Sequence, residues 1–338
     1  MRITRDLLLR LAKENAEARA FNDDTIIAAY LSGSLLRDDP LIGNTTDIDL
    51  IFVHNVPVEK ERELKALSPD VHLDIYHRYE KDYHPPRELR SNPWLGYELY
   101  DPQLLYETKH FFEFNQASLR AGFDEPKNIL KRSYILLNHA RKIWMDLQLN
   151  AEEATPDVII QYLDALLHAA NAVAELSGPP LNERRILLDF PARAEAIGHP
   201  QFTPGLFGLL GGPNIVPATL DSWLPTWKNF LTFASEAKVA DIRIHAERLP
   251  YYEKALIAII NSDTPLAALY PMLLTWSLAA QALPENQIAD WQNACHELGF
   301  STEHLEERLT AFDHYMDNIE EKIEEMLASH GFELSEVM

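Results

Sequence analysis

The stretch LSGSLLRDDPLIGNTTDIDLIFV, residues 31–53, starts at the end of one apolar run and finishes inside another. The first run, residues 25–32, is rich in β-type residues and stops at Gly33-Ser34, a pair that suits a turn. In the second, residues 46–53, Asp47 and Asp49 interrupt an otherwise apolar strand pattern at alternate positions. Side chains alternate across a strand, so both carboxylates face one side, with α-carbons roughly 6.5–7 Å apart. A third run, residues 71–79, carries Asp74 between Leu73 and Ile75, an unfavourable place for a charge unless it serves the same cluster.

Two converging carboxylates offer the hard oxygen ligands that Mg²⁺ takes, while waters and substrate phosphates complete its shell. Gly33 lets a phosphate approach the backbone without a Cβ in the way, and Ser34 offers a hydroxyl and a backbone N–H at an expected helix start. Arg37, one helical turn after Ser34, is placed to add a charge-assisted contact to the same phosphates. Asp47, Asp49 and Asp74 together suit two-metal nucleotidyl transfer, in which the α-phosphate of a nucleoside triphosphate is clamped and pyrophosphate leaves in line. Asp74 is then a metal ligand, the general base that takes the acceptor's proton, or both. A lone Asp-x-Asp more often marks a turn or a solvated edge. Its conjunction with Gly-Ser twelve residues upstream and a third strand aspartate makes the functional reading the stronger one.

These residues resemble the signature of the DNA polymerase β-like nucleotidyltransferase superfamily: Gly-Ser, a spacer, Asp-x-Asp and a later strand carboxylate, matched by Gly33, Ser34, Asp47, Asp49 and Asp74. The likeness is greatest to its small-molecule branch, the aminoglycoside adenylyltransferases, where Gly-Ser-x-x-Arg precedes Ser-Asp-Ile-Asp. Arg37 and Asp47-Ile48-Asp49 fit that pattern, Thr46 stands in the place of the serine, and Asp38-Asp39 stands where a glycine often follows the arginine. The likeness covers about residues 26–80. It implies an α+β fold in which a nucleotidyltransferase domain, a small mixed sheet with flanking helices, precedes an all-helical domain. It further implies two Mg²⁺ ions held by the three aspartates, ATP as the expected nucleotide, and a nucleotide site containing Gly33, Ser34, Arg37 and Thr46. A basic residue on the first helix after the catalytic domain often reaches the triphosphate, which makes Lys131 and Lys142 candidates. The implied acceptor is a hydroxyl of a small molecule, with cationic molecules among the candidates; transfer to a protein hydroxyl and a non-catalytic nucleotide-binding module are the alternatives.

Around this core, Leu8, Leu11 and Ala12 predict an amphipathic helix over residues 7–20. A charged stretch near residues 59–67 reads as helical, and residues 95–100 as a short fourth strand. Strand signal ends after about Phe123, which places a boundary between domains 1–122 and 123–338. Helices are expected over 126–149, 156–176, 182–197 and 220–239. Residues 199–217 concentrate Gly205, Gly208, Gly211 and Gly212 with four prolines, so a turn-rich segment is expected rather than one helix. Residues 264–284 are uncharged and nearly long enough to span a bilayer, but Pro265, Pro271 and Gln281 favour a buried core helix. Arg132 and His139 are spaced loosely like the Arg and His of HEPN ribonuclease domains, a weak signal beside a structural role. Tyr76, His77 and Tyr79 are either pocket-lining or ordinary strand residues.

Leu305, Leu309, Phe312, Met316, Ile319, Ile323 and Met326 form an a/d seam on a last helix, and residues 301–338 hold eleven acidic and two basic side chains. That seam either packs on the helical domain or pairs with a second copy, a homodimer through the acidic C-terminal helix. The whole chain of 338 residues carries 30 basic against 52 acidic side chains, a net charge of −22. So acidic a balance argues against a nucleic-acid partner, and an acidic cleft would instead attract a cation. Cys295 is the single cysteine, which excludes an intrachain disulfide and suits a reducing cytoplasm. Charges at Arg2, Arg5, Asp6 and Arg10 argue against a signal peptide.

Overall fold

The computed structural model describes residues 3–236 and 241–337. The chain divides into two compact units, Met1–Asn128 and Ile129–Met338. The division falls slightly C-terminal to the expected boundary because Phe123 is buried in the first unit, stacked on Tyr100 with ring centroids 4.4 Å apart.

The first unit is α+β. Helix α1 (Arg5–Asn22) begins at Thr4, whose side chain accepts from the Leu7 N–H, as an N-cap should. The strands are β1 (Ile26–Ser32), β2 (Thr46–His54), β3 (Arg62–Ser68), β4 (Val71–Tyr79) and β5 (Gln103–Glu107), in the order β3-β4-β2-β1-β5. The sheet is mixed: β2 and β4 run parallel, while β1 pairs antiparallel with β2 and β5, and β3 antiparallel with β4. Helix α1 buries Leu8, Ala12, Ala16 and Ala20 against Ile48, Leu50, Phe52, Leu73 and Ile75 on one sheet face. The opposite face packs Tyr30, Ile51 and Val53 against Tyr83, Leu99, Phe112 and Phe123, below helices α2 (Leu95–Tyr100) and α3 (Phe111–Arg120). Both faces of β2 are covered, which explains its near-continuous apolar sequence.

Two expectations are corrected here. Residues 62–68 form a strand, not a helix: the helix-favouring Glu, Lys and Leu side chains lie on a charged sheet edge, where pairing with β4 overrides propensity. Residues 95–100 form helix α2, not a strand, and its first N–H groups at Trp94 and Leu95 donate to the Asn92 side chain. The remaining strand is β5, whose five residues close the sheet beyond β1.

The second unit is helical. After α4 (Pro126–Asn150), which starts in the first unit, come α5 (Pro156–Glu175), α6 (Ile186–Ala196), α7 (Phe202–Leu209), α8 (Pro217–Glu236), α9 (Leu249–Ile260), α10 (Leu269–Gln281), α11 (Ala289–Glu297) and α12 (Leu305–His330). The glycine- and proline-rich segment contains only the short α7 and a 3-10 turn, Gly212–Asn214. Helix α6 starts four residues later than expected, after a turn in which Asn182 accepts from the Arg185 N–H. The expected end of α8 at Val239 lies outside the described residues. Helix α10 is buried from Leu269 to Ala280, and no helix among the described residues is long and apolar enough to cross a membrane. The seam of α12 is buried at Leu305, Leu309, Phe312, Met316, Ile319 and Ile323, so its stripe is used inside this unit. On its acidic side, Arg141 of α4 reaches Asp317 at 2.8 Å and Glu320 at 2.6 Å.

Candidate functional site

Parallel pairing of β2 with β4 sets Asp49 opposite Asp74, and Asp47 lies two residues earlier on the same face of β2. The three aspartates can each present one carboxylate oxygen such that all three lie within 4.8 Å of one another. Asp47 and Asp74 are buried, and Asp49 is half-buried. This convergence is the geometry expected from the alternation along the strands.

Antiparallel pairing sets Ser32, the last residue of β1, opposite Asp49, which brings the following Gly33 against the cluster. Gly33 adopts φ +77°, a left-handed value, and a Cβ added there would collide with the Asp49 carboxylate. The Ser34 hydroxyl lies 3.2 Å from the Thr46 hydroxyl, tying the turn to the start of β2. Instead of the expected helix, Ser34–Leu36 makes a single 3-10 turn. A turn this short has no helix dipole to offer an anion, and the Asp49 carboxylate fills the space beside Gly33 where the sequence suggested a phosphate approach; the Ser34 hydroxyl remains. Arg5 of α1 secures the turn by donating to the carbonyls of Leu35 and Leu36. Arg37 caps the turn and is exposed.

A residue that the sequence reading passed over stands in the centre of the site. Arg62 of β3 donates from Nε to Asp74 Oδ1 at 2.8 Å and from Nη2 to Asp74 Oδ2 at 2.6 Å. In the β3–β4 register Arg62 faces Tyr76, so Asp74 is its diagonal neighbour on the same face. This pair supplies a second answer to the buried charge at Asp74, beside the carboxylate cluster. Tyr76 lies between two guanidinium groups, Arg62 at 4.8 Å and Arg78 at 5.8 Å from its ring centroid. Burial, reinforced by the negative charge of Asp74, pushes the Tyr76 phenol well above its ordinary value, so it stays protonated. Arg78 is held in turn by Glu98 at 2.9 Å, and Glu98 accepts from the Tyr30 hydroxyl. A signal for Arg62 existed in principle: a basic residue in a strand beside the one that carries Asp74. Reading residues 59–67 as a helix concealed it.

The other candidates are dispersed. Lys131 and Lys142 lie on α4 within the second unit, half-buried and exposed respectively. Arg132 is buried, with Nε donating to Glu175 at 2.5 Å, so it has a packing role. His139 is exposed beside His168, with ring centroids 5.4 Å apart. His77 turns to the α1 face of the sheet, away from the aspartates, and meets His54 and Glu63. A second acidic group, Glu107, His110 and Glu113, also brings three ligand atoms within 4.8 Å of one another. There Glu107 accepts from the backbone N–H groups of Phe112 and Glu113 at the start of α3, a capping arrangement.

The donor set of the aspartate cluster fits a hard divalent cation: three carboxylates, oxygen ligands only, on two strands held in register. No family model matches the chain, and no curated protein matches it.

Proposed function

We propose that the protein transfers a nucleoside monophosphate, AMP from ATP, to a hydroxyl of a small molecule, releasing pyrophosphate. The observation that carries this reading is the convergence of Asp47, Asp49 and Asp74 beside a left-handed Gly33. Asp47 and Asp49 would hold the Mg²⁺, with Asp74 contributing to the same cluster. Mg²⁺ bound there supplies neutralisation of phosphate charge and stabilisation of the leaving pyrophosphate. The chain's own residues do the rest. Gly33 lets the Asp49 carboxylate lie against the turn, Ser34 offers a hydroxyl from that turn, and Thr46 fixes that hydroxyl's position. Asp74 would take a proton from the acceptor hydroxyl on a lone pair that the Arg62 fork leaves open, or on an oxygen that Arg62 releases.

The chain's net charge of −22 favours a cationic acceptor over a nucleic acid. A second reading, a nucleotide-binding module without turnover, draws on the Arg62 fork, which engages both oxygens of Asp74.

Incubating the full chain with Mg²⁺ and each α-phosphate-labelled nucleoside triphosphate, together with an extract containing aminoglycosides, tests the two readings. Label in the small-molecule fraction, lost in Asp49→Asn, is the expected result. Turnover undiminished in Asp49→Asn would remove the site, and nucleotide binding without transfer would favour the module. Label on protein would redirect the acceptor to a protein hydroxyl.

A further inference from the structure

Asp74 faces two claims. Its carboxylate belongs to the triad that can converge on an ion, yet both of its oxygens are engaged by Arg62. Paired guanidinium–carboxylate bonds of this kind are directional and strong. An ion that ligates Asp74 must therefore share an oxygen with Arg62 or displace it. The surroundings favour displacement. Asp74 is 3 % exposed and rigidly placed in a central strand, whereas the Arg62 side chain is 35 % exposed and stands on the edge strand. The Tyr76 ring, 4.8 Å from the guanidinium, gives Arg62 a surface to rest on once it leaves the carboxylate.

Charge sets the order of events. With Arg62 paired to Asp74, three ionised carboxylates and one guanidinium leave a net charge of about −2, which one divalent ion neutralises. When the guanidinium leaves, the carboxylates alone carry about −3 and call for further positive charge, while Arg62 becomes available to an anion.

From this we infer that Arg62 is a positioning residue that reserves Asp74. The site loads its first divalent ion on Asp47 and Asp49, and Asp74 joins a second ion as Arg62 turns from the carboxylate to the phosphates of the nucleotide. This inference rests on the nucleotidyl-transfer reading and assigns that site an exchange in which one carboxylate trades a guanidinium for a metal ion. No covalent bond changes in the exchange.

The test is a Mn²⁺ titration of the full chain, followed by the electron paramagnetic resonance of free Mn²⁺, on the unaltered protein and on Arg62→Gln, Arg62→Lys and Asp47→Asn. The unaltered protein is expected to bind one ion more tightly than a second. Arg62→Gln should tighten the second ion by about tenfold or more, the scale of a lost charge-assisted hydrogen bond, and leave the first nearly unchanged. Arg62→Lys keeps the charge without the fork and should fall between. ATP binding to the Mn²⁺-loaded protein, measured by calorimetry, should weaken in Arg62→Gln, which has no guanidinium to turn to the phosphates. A second-ion affinity that is unchanged or weaker in both folded Arg62 variants, with the first ion intact, overturns the exchange. Absence of Mn²⁺ binding in the unaltered protein, or binding that Asp47→Asn leaves intact, overturns the nucleotidyl-transfer site itself.

Discussion

A methyl group on Gly33 would strike the carboxylate of Asp49, because the turn after β1 passes directly against the acidic face of β2. Gly33→Ala therefore carries two penalties. The backbone at φ +77°, ψ −154° lies in a region nearly confined to glycine and costs an L residue roughly 1–3 kcal/mol, and Asp49 must rotate away from its neighbours. Chemical denaturation should register the first, and a fall in Mn²⁺ affinity the second. A variant as stable as the parent with undiminished ion binding would show that the close approach has no part in the site.

Ser34 and Thr46 hold each other through hydroxyls 3.2 Å apart. Ser34→Ala should cost the fold no more than about 1 kcal/mol, the net value of a single neutral hydrogen bond, while raising the KM for nucleotide. Steady-state kinetics separates the two: a fall in kcat with KM unchanged would place Ser34 outside nucleotide binding.

On the other face of the sheet, His54 Nε2 meets His77 Nδ1 at 2.8 Å, and the Thr25 hydroxyl meets His54 Nδ1 at 2.8 Å. Two imidazoles share one hydrogen bond only while one of them offers a lone pair. Burial first, then the proximity of His77, holds His54 below its ordinary value of 6.5, against a smaller opposing pull from Asp23. The folded state therefore binds this proton more weakly than the unfolded state does. The resulting stability is fully present above about pH 6.5 and is lost as pH falls through the lowered folded value. Urea unfolding at a series of pH values from 8 to 5, about the range in which histidine titrates, should show this decline, and His54→Asn should flatten it. An identical pH dependence in His54→Asn would assign the effect to other groups.

Within the helical unit, Arg132 and Glu175 form an ion pair in which both side chains are wholly buried. Removing one partner strands a charge in the core, so Arg132→Met alone should destabilise by about 3–5 kcal/mol. The double variant Arg132→Met with Glu175→Leu should recover most of that loss, since apolar replacement of both partners leaves no stranded charge. Thermal denaturation of the single and double variants reads the difference. Equal destabilisation in both would mean that shape, not charge, sets the cost.

Ile319 is fully buried in the seam of α12. Ile319→Ala should cost about 2–5 kcal/mol at any protein concentration, because the stripe packs within one chain. Concentration-dependent unfolding would instead point to a second copy on this helix.

Local pattern determined a good deal of this. Alternation along residues 46–53 and 71–79 placed the three aspartates on strands, and the parallel register then brought them together as that alternation implies. Helical spacing likewise located α1, α4, α5 and α12 to within a few residues, since each buries a stripe that its own sequence displays. What local pattern did not reach was pairing. The charged segment 62–68 favours helix on its own, and only the exposed edge of β4 makes it a strand. From that one pairing comes the diagonal contact of Arg62 with Asp74, between residues twelve apart in the chain and neighbours only across the ladder. Residue type and spacing along a strand are properties of one segment, so the sequence by itself determined the carboxylates. A cross-strand register is a property of two segments, so only the tertiary structure decided which cation answers them.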